Sequence, residues 1–327
     1  MKTIFFLGAG ASKSEGAPLQ SELFYEYFKE FANRKDHYYV LLKDFFSRTY
    51  KIDVTTTKLY PTFEEILGLL YIAEKRQVSF YFNVEEVKKA IVYSMAEILD
   101  KKIINLHGYH YKFIENLKKI NKLKNVVIIT TNYDILIDNA LILNNVNIDY
   151  GIKIIKNYND MFNLPLLKIY GAINWIFCDV CDEFKIVPFK DGALRDIING
   201  DIRCSRCNNK FKSIIVPPTF FKDISNPYLN NVYHHMNKYL YENNKIVFCG
   251  YSLPDADLYI KFIIKRAELY KEKSFDITVI NGHEEKSLEN MKKESNRYNM
   301  FFNNQVNYLE LSFQKFINSP KMISKLI

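Results

Sequence analysis

The chain opens on an unbroken apolar run, Ile4-Phe5-Phe6-Leu7, that stops at Gly8-Ala9-Gly10-Ala11-Ser12. Four consecutive apolar residues bounded by glycine predict a short strand covered on both faces that leads into a tight turn. The period then changes. Leu19, Leu23, Phe24, Tyr27, Phe28 and Phe31 recur at helical spacing, and similar amphipathic stretches continue to the neighbourhood of Leu123. From Val126 to Thr131 a β-branched run returns, suited to a parallel strand buried on both sides. Further apolar runs at Leu166 to Ile169, Ile214 to Val216, Ile246 to Cys249, Ile277 to Ile280 and Val306 to Leu311 alternate with segments of helical pattern. Strands alternating with helices predict an α/β fold built on a doubly wound parallel sheet.

Composition adds that the chain folds on its own. Apolar residues make up 48% and aromatics 15%, well above what a disordered chain carries. The net charge of +8, from 45 basic and 37 acidic residues, comes from lysines scattered among Asn, Glu and Tyr. Without a clustered basic run, direct nucleic-acid binding is not expected. The apolar run after Lys2 is too short for a secretory core, and no stretch reaches the length of a membrane span, so the expected compartment is cytoplasmic, with no membrane contact.

Two patterns carry chemistry. Small residues at Gly8, Ala9 and Gly10, directly after a strand, let backbone approach a phosphate, although Lys13 stands where a G-x-G-x-x-G pattern has its last glycine. The same turn also reads as a plain strand-to-helix connection. Four of the five cysteines form Cys178-x-x-Cys181 and Cys204-x-x-Cys207, with 22 residues between the pairs. That spacing predicts a closed, structural Zn2+ site; two disulfides are the competing reading, disfavoured in a chain expected inside the cell. Cys249, in an apolar run, reads as a buried core thiol.

Several separated segments occur together and in order: Phe6-Leu-Gly-Ala-Gly-Ala-Ser12, Gly16-Ala-Pro18, Thr130-Thr-Asn-Tyr-Asp134, Lys168-Ile-Tyr-Gly171, the two CxxC pairs, Gly250-Tyr-Ser-Leu-Pro-Asp-Ala-Asp257 and Val279-Ile-Asn281. Over Ile4 to Asn281 this order resembles the Sir2-like family, and in particular its divergent bacterial branch associated with antiphage defence. The resemblance implies one composite Sir2-like domain. Its Rossmann-like core would cover about 1–18, 123–176 and 213–312, with a helical insertion at about 19–122 and a small four-cysteine zinc ribbon at about 177–212.

The resemblance further implies NAD+ as ligand or substrate. Gly8, Ala9, Gly10, Ala11 and Ser12 would surround its phosphates, and Pro18 would lie by a mobile cofactor loop. Asn132, beside Thr131, would orient the nicotinamide ribose or the attacking water, with Asp134 holding its neighbours. Gly171 would line the cofactor site, Gly250 and Ser252 would touch phosphate or ribose, and Asn281 the adenosine ribose. Each has a plainer reading, since Asn132, Asp134, Ser252 and Asp255 also suit helix starts and Asn281 a turn.

The implied activity is NAD+ glycohydrolysis by an antiphage effector, restrained by self-assembly into a homo-oligomer or by a separate activating or sensor subunit. A catalytically weak NAD-binding sensor or assembly subunit is the alternative, and an NAD-dependent protein deacylase a further one. The main departure from the pattern is Tyr170, where the family has histidine before Gly171. Neutral tyrosine, with an ordinary pKa of about 10, is a poor base near neutral pH. His107 reads as an ordinary helix histidine rather than a replacement.

Overall fold

The computed structural model describes residues 1–78, 80–102, 106–152, 162–187, 202–216, 226–271, 274–282, 286–303 and 306–327. The predicted first strand forms as β1 (Thr3–Leu7), every residue of it buried. It pairs in parallel with β2 (Val126–Thr130) on one side and with β8 (Lys245–Cys249) on the other. Outward from β2 lie β4 (Asn163–Lys168) and the three-residue β3 (Asn147–Asp149). Outward from β8 lie β9 (Asp276–Ile280) and β10 (Val306–Leu309). The full order is β10-β9-β8-β1-β2-β4-β3, and every pairing in it is parallel. Setting aside the short edge strand β3, the remaining strands follow the 3-2-1-4-5-6 order of a doubly wound dinucleotide fold, whose switch point lies between the first and fourth strands, here β1 and β8.

Side-chain alternation along β1 shows how the sheet is covered. Phe5 meets Phe113 at 5.0 Å between ring centroids, on the Tyr109–Lys119 helix, and Phe316 at 6.5 Å. Phe6, on the opposite face, meets Phe248 at 5.3 Å and Tyr251 at 4.6 Å. Consecutive residues of a strand face opposite sides, so a run of four apolar residues is what a doubly covered strand requires.

Two compact units divide the chain. One comprises residues 1–16, 105–171 and 223–327 and holds the seven-stranded sheet; the other comprises residues 17–104 and 172–222. The second unit contains the helices Leu23–Glu30, His37–Tyr50, Phe63–Lys75 and Val84–Lys102. Thr62 and Glu65 cap the third of these reciprocally, which satisfies donors that a helix start otherwise leaves open. The same unit contains a three-stranded sheet ordered β6 (Phe184–Ile186), β5 (Gly171–Phe177) and β7 (Lys212–Ile215).

The apolar run at Ile214 to Val216 therefore forms a strand, β7, but not one of the doubly wound sheet. A short apolar run announces burial; it does not say against which neighbour. Among the described residues no helix is long and apolar enough to cross a membrane.

Candidate functional site

The six long strands of the parallel sheet end on one register row. Leu7 pairs with Thr130 and Cys249, Thr130 with Lys168, Cys249 with Ile280, and Ile280 with Leu309. The next residues along the chain form the carboxyl rim, and this rim carries Gly8, Thr131, Asn132, Tyr170, Gly171, Gly250 and Asn281. In open α/β sheets a ligand binds outside the carboxyl ends of the strands, at the switch point. Gly8 and Gly250 follow directly from the two strands that flank it.

The glycines there are required by contact between two turns. Gly8 N donates to Cys249 O at 2.9 Å and Gly10 N to Gly250 O at 2.8 Å. A Cβ on Gly8 would stand 2.6 Å from Gly250 O, and one on Gly10 2.8 Å from Gly250 Cα. Gly250 has φ +62°, and a Cβ there would come within 2.0 Å of Ala11 N. Glycine is demanded at all three positions by backbone meeting backbone, before any ligand is considered. Ala9, partly exposed, carries no such constraint.

Beside this junction Asn132 is held at two points. Its side-chain nitrogen donates to Gly8 O at 3.0 Å and to Ser12 Oγ at 2.9 Å, and its main-chain N–H donates to Thr130 Oγ1 at 3.0 Å. Both amide hydrogens are thus engaged by protein, which fixes the direction of the carboxamide oxygen. Ser12 Oγ in turn donates a hydrogen bond to Asp134 Oδ2 at 2.7 Å, and the other carboxylate oxygen of Asp134 accepts from Leu136 N–H at 3.1 Å. Asp134 thus ties Ser12 to the entry of the Leu136–Leu143 helix. Lys168, at the end of β4, donates to Asp134 O at 2.6 Å and to Asp138 Oδ2 at 2.8 Å.

Tyr170 is 1% exposed, and its hydroxyl donates to Asp257 Oδ1. Tyr251 donates to the other oxygen, Oδ2, at 2.6 Å. Burial, followed by the charge of Asp257, pushes the Tyr170 phenol well above its ordinary range. Asp257 stands at the N-cap of the Leu258–Leu269 helix yet makes no capping bond there; its carboxylate turns inward to the two phenols. A third buried phenol, Tyr233, lies close enough to feel the Asp257 charge.

Asn281 is 5% exposed, and its amide donates to Tyr251 O at 3.2 Å and to Glu294 Oε1. It ties the end of β9 to the Leu288–Phe301 helix. Ser252 offers its carbonyl to Arg297 Nη1 at 2.9 Å, while Asp255 pairs with Lys261 at 3.1 Å. Thr131 N–H closes on Leu7 O at 3.1 Å, and Gly171 takes φ +77°. Pro18 belongs to the second unit.

In that second unit, Cys178, Cys181, Cys204 and Cys207 form one cluster, with all four sulfur atoms within 4.8 Å of one another. The pairs 178–207 and 181–204 are 3.3 Å apart and 181–207 is 3.7 Å, too long for a disulfide and close to the roughly 3.8 Å edge of a tetrahedron with 2.3 Å metal–sulfur bonds. Two matching turns bring them together. Cys178 N donates to Glu183 O and Asp182 N to Cys178 O; Cys204 N donates to Asn209 O and Asn208 N to Cys204 O. Asp182 and Asn208, each next after the second cysteine of its pair, take φ +55° and +61°. Asp and Asn tolerate that left-handed backbone, so both turns close without glycine. The residues fit a four-coordinate metal ion with no open position. Cys249 is a separate, fully buried thiol, and burial pushes its pKa up.

The sequence profile of the SIR2-like domain family matches residues 126–299, more than half of the 327-residue chain. The chain belongs to the SIR2-like domain family. Among curated proteins, none matches it in sequence. Solved structures similar to it include one from work on the mechanism and regulation of Sir2 enzymes, at 15% identity and TM-score 0.47, covering 99% of this chain and 92% of that one. A Sir2 homolog–NAD complex is similar at 12% identity and TM-score 0.48, covering 100% and 91%. A Sir2–p53 peptide–NAD+ structure is similar at 13% identity and TM-score 0.46, covering 99% and 92%. Identity at this level transfers neither ligand nor reaction.

This SIR2-like chain has functional-looking contacts that no local pattern announced. Asp257 and Tyr251 fall in the Gly250 to Asp257 segment already singled out, but the link from Asp257 to Tyr170, 87 positions away, shows only in the fold. Glu15 accepts both the main-chain N–H of His110, at 2.7 Å, and its ring Nδ1, at 2.5 Å, with both side chains buried. A Cβ on Gly108 would lie 2.0 Å from Glu15 Oε2, so that glycine admits the carboxylate to the helix start. His107, expected within a helix, lies in the turn ahead of the Tyr109–Lys119 helix.

Proposed function

We propose that this SIR2-like protein binds NAD+ at the carboxyl rim of its sheet and hydrolyses it to nicotinamide and ADP-ribose, at a rate lowered by Tyr170. The observation that carries the reading is the meeting of the Gly8–Gly10 and Gly250 turns at the switch point of a 3-2-1-4-5-6 sheet, with Asn132 braced beside them. In this reading Gly8, Ala9, Gly10, Ala11 and Ser12 face the pyrophosphate. Gly250 and Ser252 approach phosphate or ribose. Asn281 stands by the adenosine ribose, and Thr131 and Gly171 complete this unit's share of the cofactor's surroundings. Four thiolates hold one Zn2+, which serves the fold and takes no part in the reaction.

The hydrolysis breaks the bond between nicotinamide and ribose C1′, leaving positive charge on the sugar. Water supplies the oxygen that bonds to C1′ and releases a proton, and nicotinamide departs as a neutral amide. The protein's task is to hold the glycosidic bond and the water in line and to place a negative dipole near the developing charge. The Asn132 carboxamide oxygen, oriented through its two engaged hydrogens, is assigned that task, with Asp134 bracing Ser12 behind it. Resemblance to the antiphage branch supports a role as an NAD-depleting defence effector held inactive by a homo-oligomer or a separate sensor subunit.

The locked hydroxyl of Tyr170 favours a second reading, an NAD-binding subunit without turnover. One assay separates the possibilities: nicotinamide release from NAD+ by the purified chain, with and without an acetyl-lysine peptide, compared with Asn132→Ala. A hydrolase releases nicotinamide without peptide, and Asn132→Ala lowers that rate by about 10²–10³-fold. Release that depends on the peptide identifies a deacylase. Calorimetric NAD+ binding with no release under either condition, and still none once the restraining assembly is dissociated or the activating partner is added, identifies the binding subunit.

A further inference from the structure

Lys168 and Asp138 form an ion pair with relative exposures of 0% and 1%, beneath the loop that carries Asn132. Desolvating two charges costs several kcal/mol per ion, and apolar residues of similar volume commonly serve stability as well or better. Stability alone is therefore a weak reason for this pair. Its geometry supplies another. Lys168 extends from the last position of β4 to the main-chain oxygen of Asp134, at 2.6 Å, in the neighbouring loop. The same ammonium is held by Asp138 Oδ2 at 2.8 Å, while Asp138 Oδ1 accepts the Tyr150 hydroxyl at 2.7 Å. From Asp134 the chain of contacts continues through Ser12 to the Asn132 amide.

We propose that Lys168 and Asp138 are positioning residues that fix the orientation of the Asn132 carboxamide by anchoring the Asp134 main chain from β4. Which reaction Asn132 serves is a matter for the glycohydrolase reading, on which the kinetic consequence rests; the anchoring itself does not depend on it. Lys168 contacts no reacting atom in this scheme. It acts through Asp134 and Ser12, and loss of the anchor lets the carboxamide turn away from its working direction. A misplacement of about 1 Å at a reacting group can lower turnover by about 10²-fold.

The test removes the whole buried polar group at once, so that no charge is left alone: Lys168→Met, Asp138→Leu and Tyr150→Phe in one protein. Two readouts are taken, nicotinamide release and the side-chain amide resonances of Asn132 in a 15N–1H spectrum, identified by their loss in Asn132→Asp. In the wild type, both amide protons are held by Gly8 O and Ser12 Oγ and are expected to exchange slowly with solvent. The triple variant is expected to keep its fold and its NAD+ affinity, to exchange those protons at least about tenfold faster, and to lose about 10²-fold in kcat with little change in KM. Unchanged Asn132 resonances and exchange in the folded triple variant overturn the proposal. If the wild type releases no nicotinamide, the glycohydrolase reading fails, while the amide exchange still decides the anchoring. Should the triple variant not fold, Asp138→Asn keeps the shape and removes the carboxylate charge; faster Asn132 exchange supports the anchor and unchanged exchange overturns it.

Discussion

Replacing Tyr170 with histidine raises nicotinamide release by about 10²-fold or more near neutral pH, the usual contribution of a well-placed general base. The buried phenol cannot fill that role. Its hydroxyl proton is committed to Asp257, and burial together with the Asp257 charge holds its pKa well above the ordinary value of 10. A phenol raised above its ordinary value is neutral near neutral pH, so the wild-type rate is expected to be flat with respect to this group between about pH 6 and 9. A histidine at 170 would donate one ring N–H to Asp257 and leave the other nitrogen as an acceptor. The carboxylate favours the imidazolium and raises the imidazole pKa, and only the neutral ring accepts a proton. The variant's rate therefore climbs with pH through that pKa to a plateau, a limb that the wild type lacks. Steady-state nicotinamide release across that range, with NAD+ affinity measured in parallel, checks the expectation. Equal turnover and equal affinity in the two proteins would remove Tyr170 from the catalytic centre.

The second large effect is expected on stability, from removing the metal proposed for the four-cysteine cluster. One zinc per chain is expected by elemental analysis, held by Cys178, Cys181, Cys204 and Cys207. Structural zinc contributes on the order of 10 kcal/mol to small metal-bound folds. Here the two knuckle turns, at Cys178 to Glu183 and Cys204 to Asn209, also have their own backbone hydrogen bonds, so part of the structure survives metal loss. Chelation, or Cys204→Ser, is expected to lower the melting temperature by roughly ten degrees, at about 1–2 degrees per kcal/mol for a chain of 327 residues. A folded chain without stoichiometric metal, or wild-type melting after Cys204→Ser, contradicts the assignment.

The inner strands of the doubly wound core were legible because they are buried and such strands leave nearly continuous apolar runs, whereas the edge strand β10 is only partly covered. β1, β2, β4, β8, β9 and β10 all stand on runs that could be read along the chain. The same reasoning put Ile214 to Val216 in the wrong sheet, since a short apolar run announces a buried strand without naming its neighbours. β3, only three residues long, has too few positions to show a period. The cysteine cluster followed from spacing alone, and Asp182 and Asn208 were a further signal, being residues that accept left-handed backbone just after each pair.

The candidate site was legible as an ordered set of residues but not as a network. Asn132 and Asp134 lie in one loop, whereas Ser12, which joins them, comes from a turn 120 positions away from Asn132. Lys168 is the clearest case. Lysine is a surface residue by default, and nothing local to Lys168-Ile169-Tyr170 indicates that this one is wholly buried against Asp138. Gly8 and Gly10 were singled out for approach to a phosphate; the structure gives them a separate reason, since the small residues admit the Gly250 turn.

That close packing also decides where the central claim is best tested. A side chain at Gly10 would collide with Gly250, so a glutamate there confounds misfolding with loss of a ligand site. Ala9 lies in the same turn, is partly exposed, and is free of the constraint. The most direct measurement is calorimetric titration of NAD+ into the wild type and Ala9→Glu, with melting curves showing that both are folded. The wild type is expected to bind one NAD+ per chain, and the added carboxylate, set against the pyrophosphate, to weaken binding by about 10²-fold or more, since like charges brought together cost several kcal/mol. Failure of the wild type to bind NAD+, or the same affinity in a folded Ala9→Glu, would contradict a dinucleotide site at the switch point.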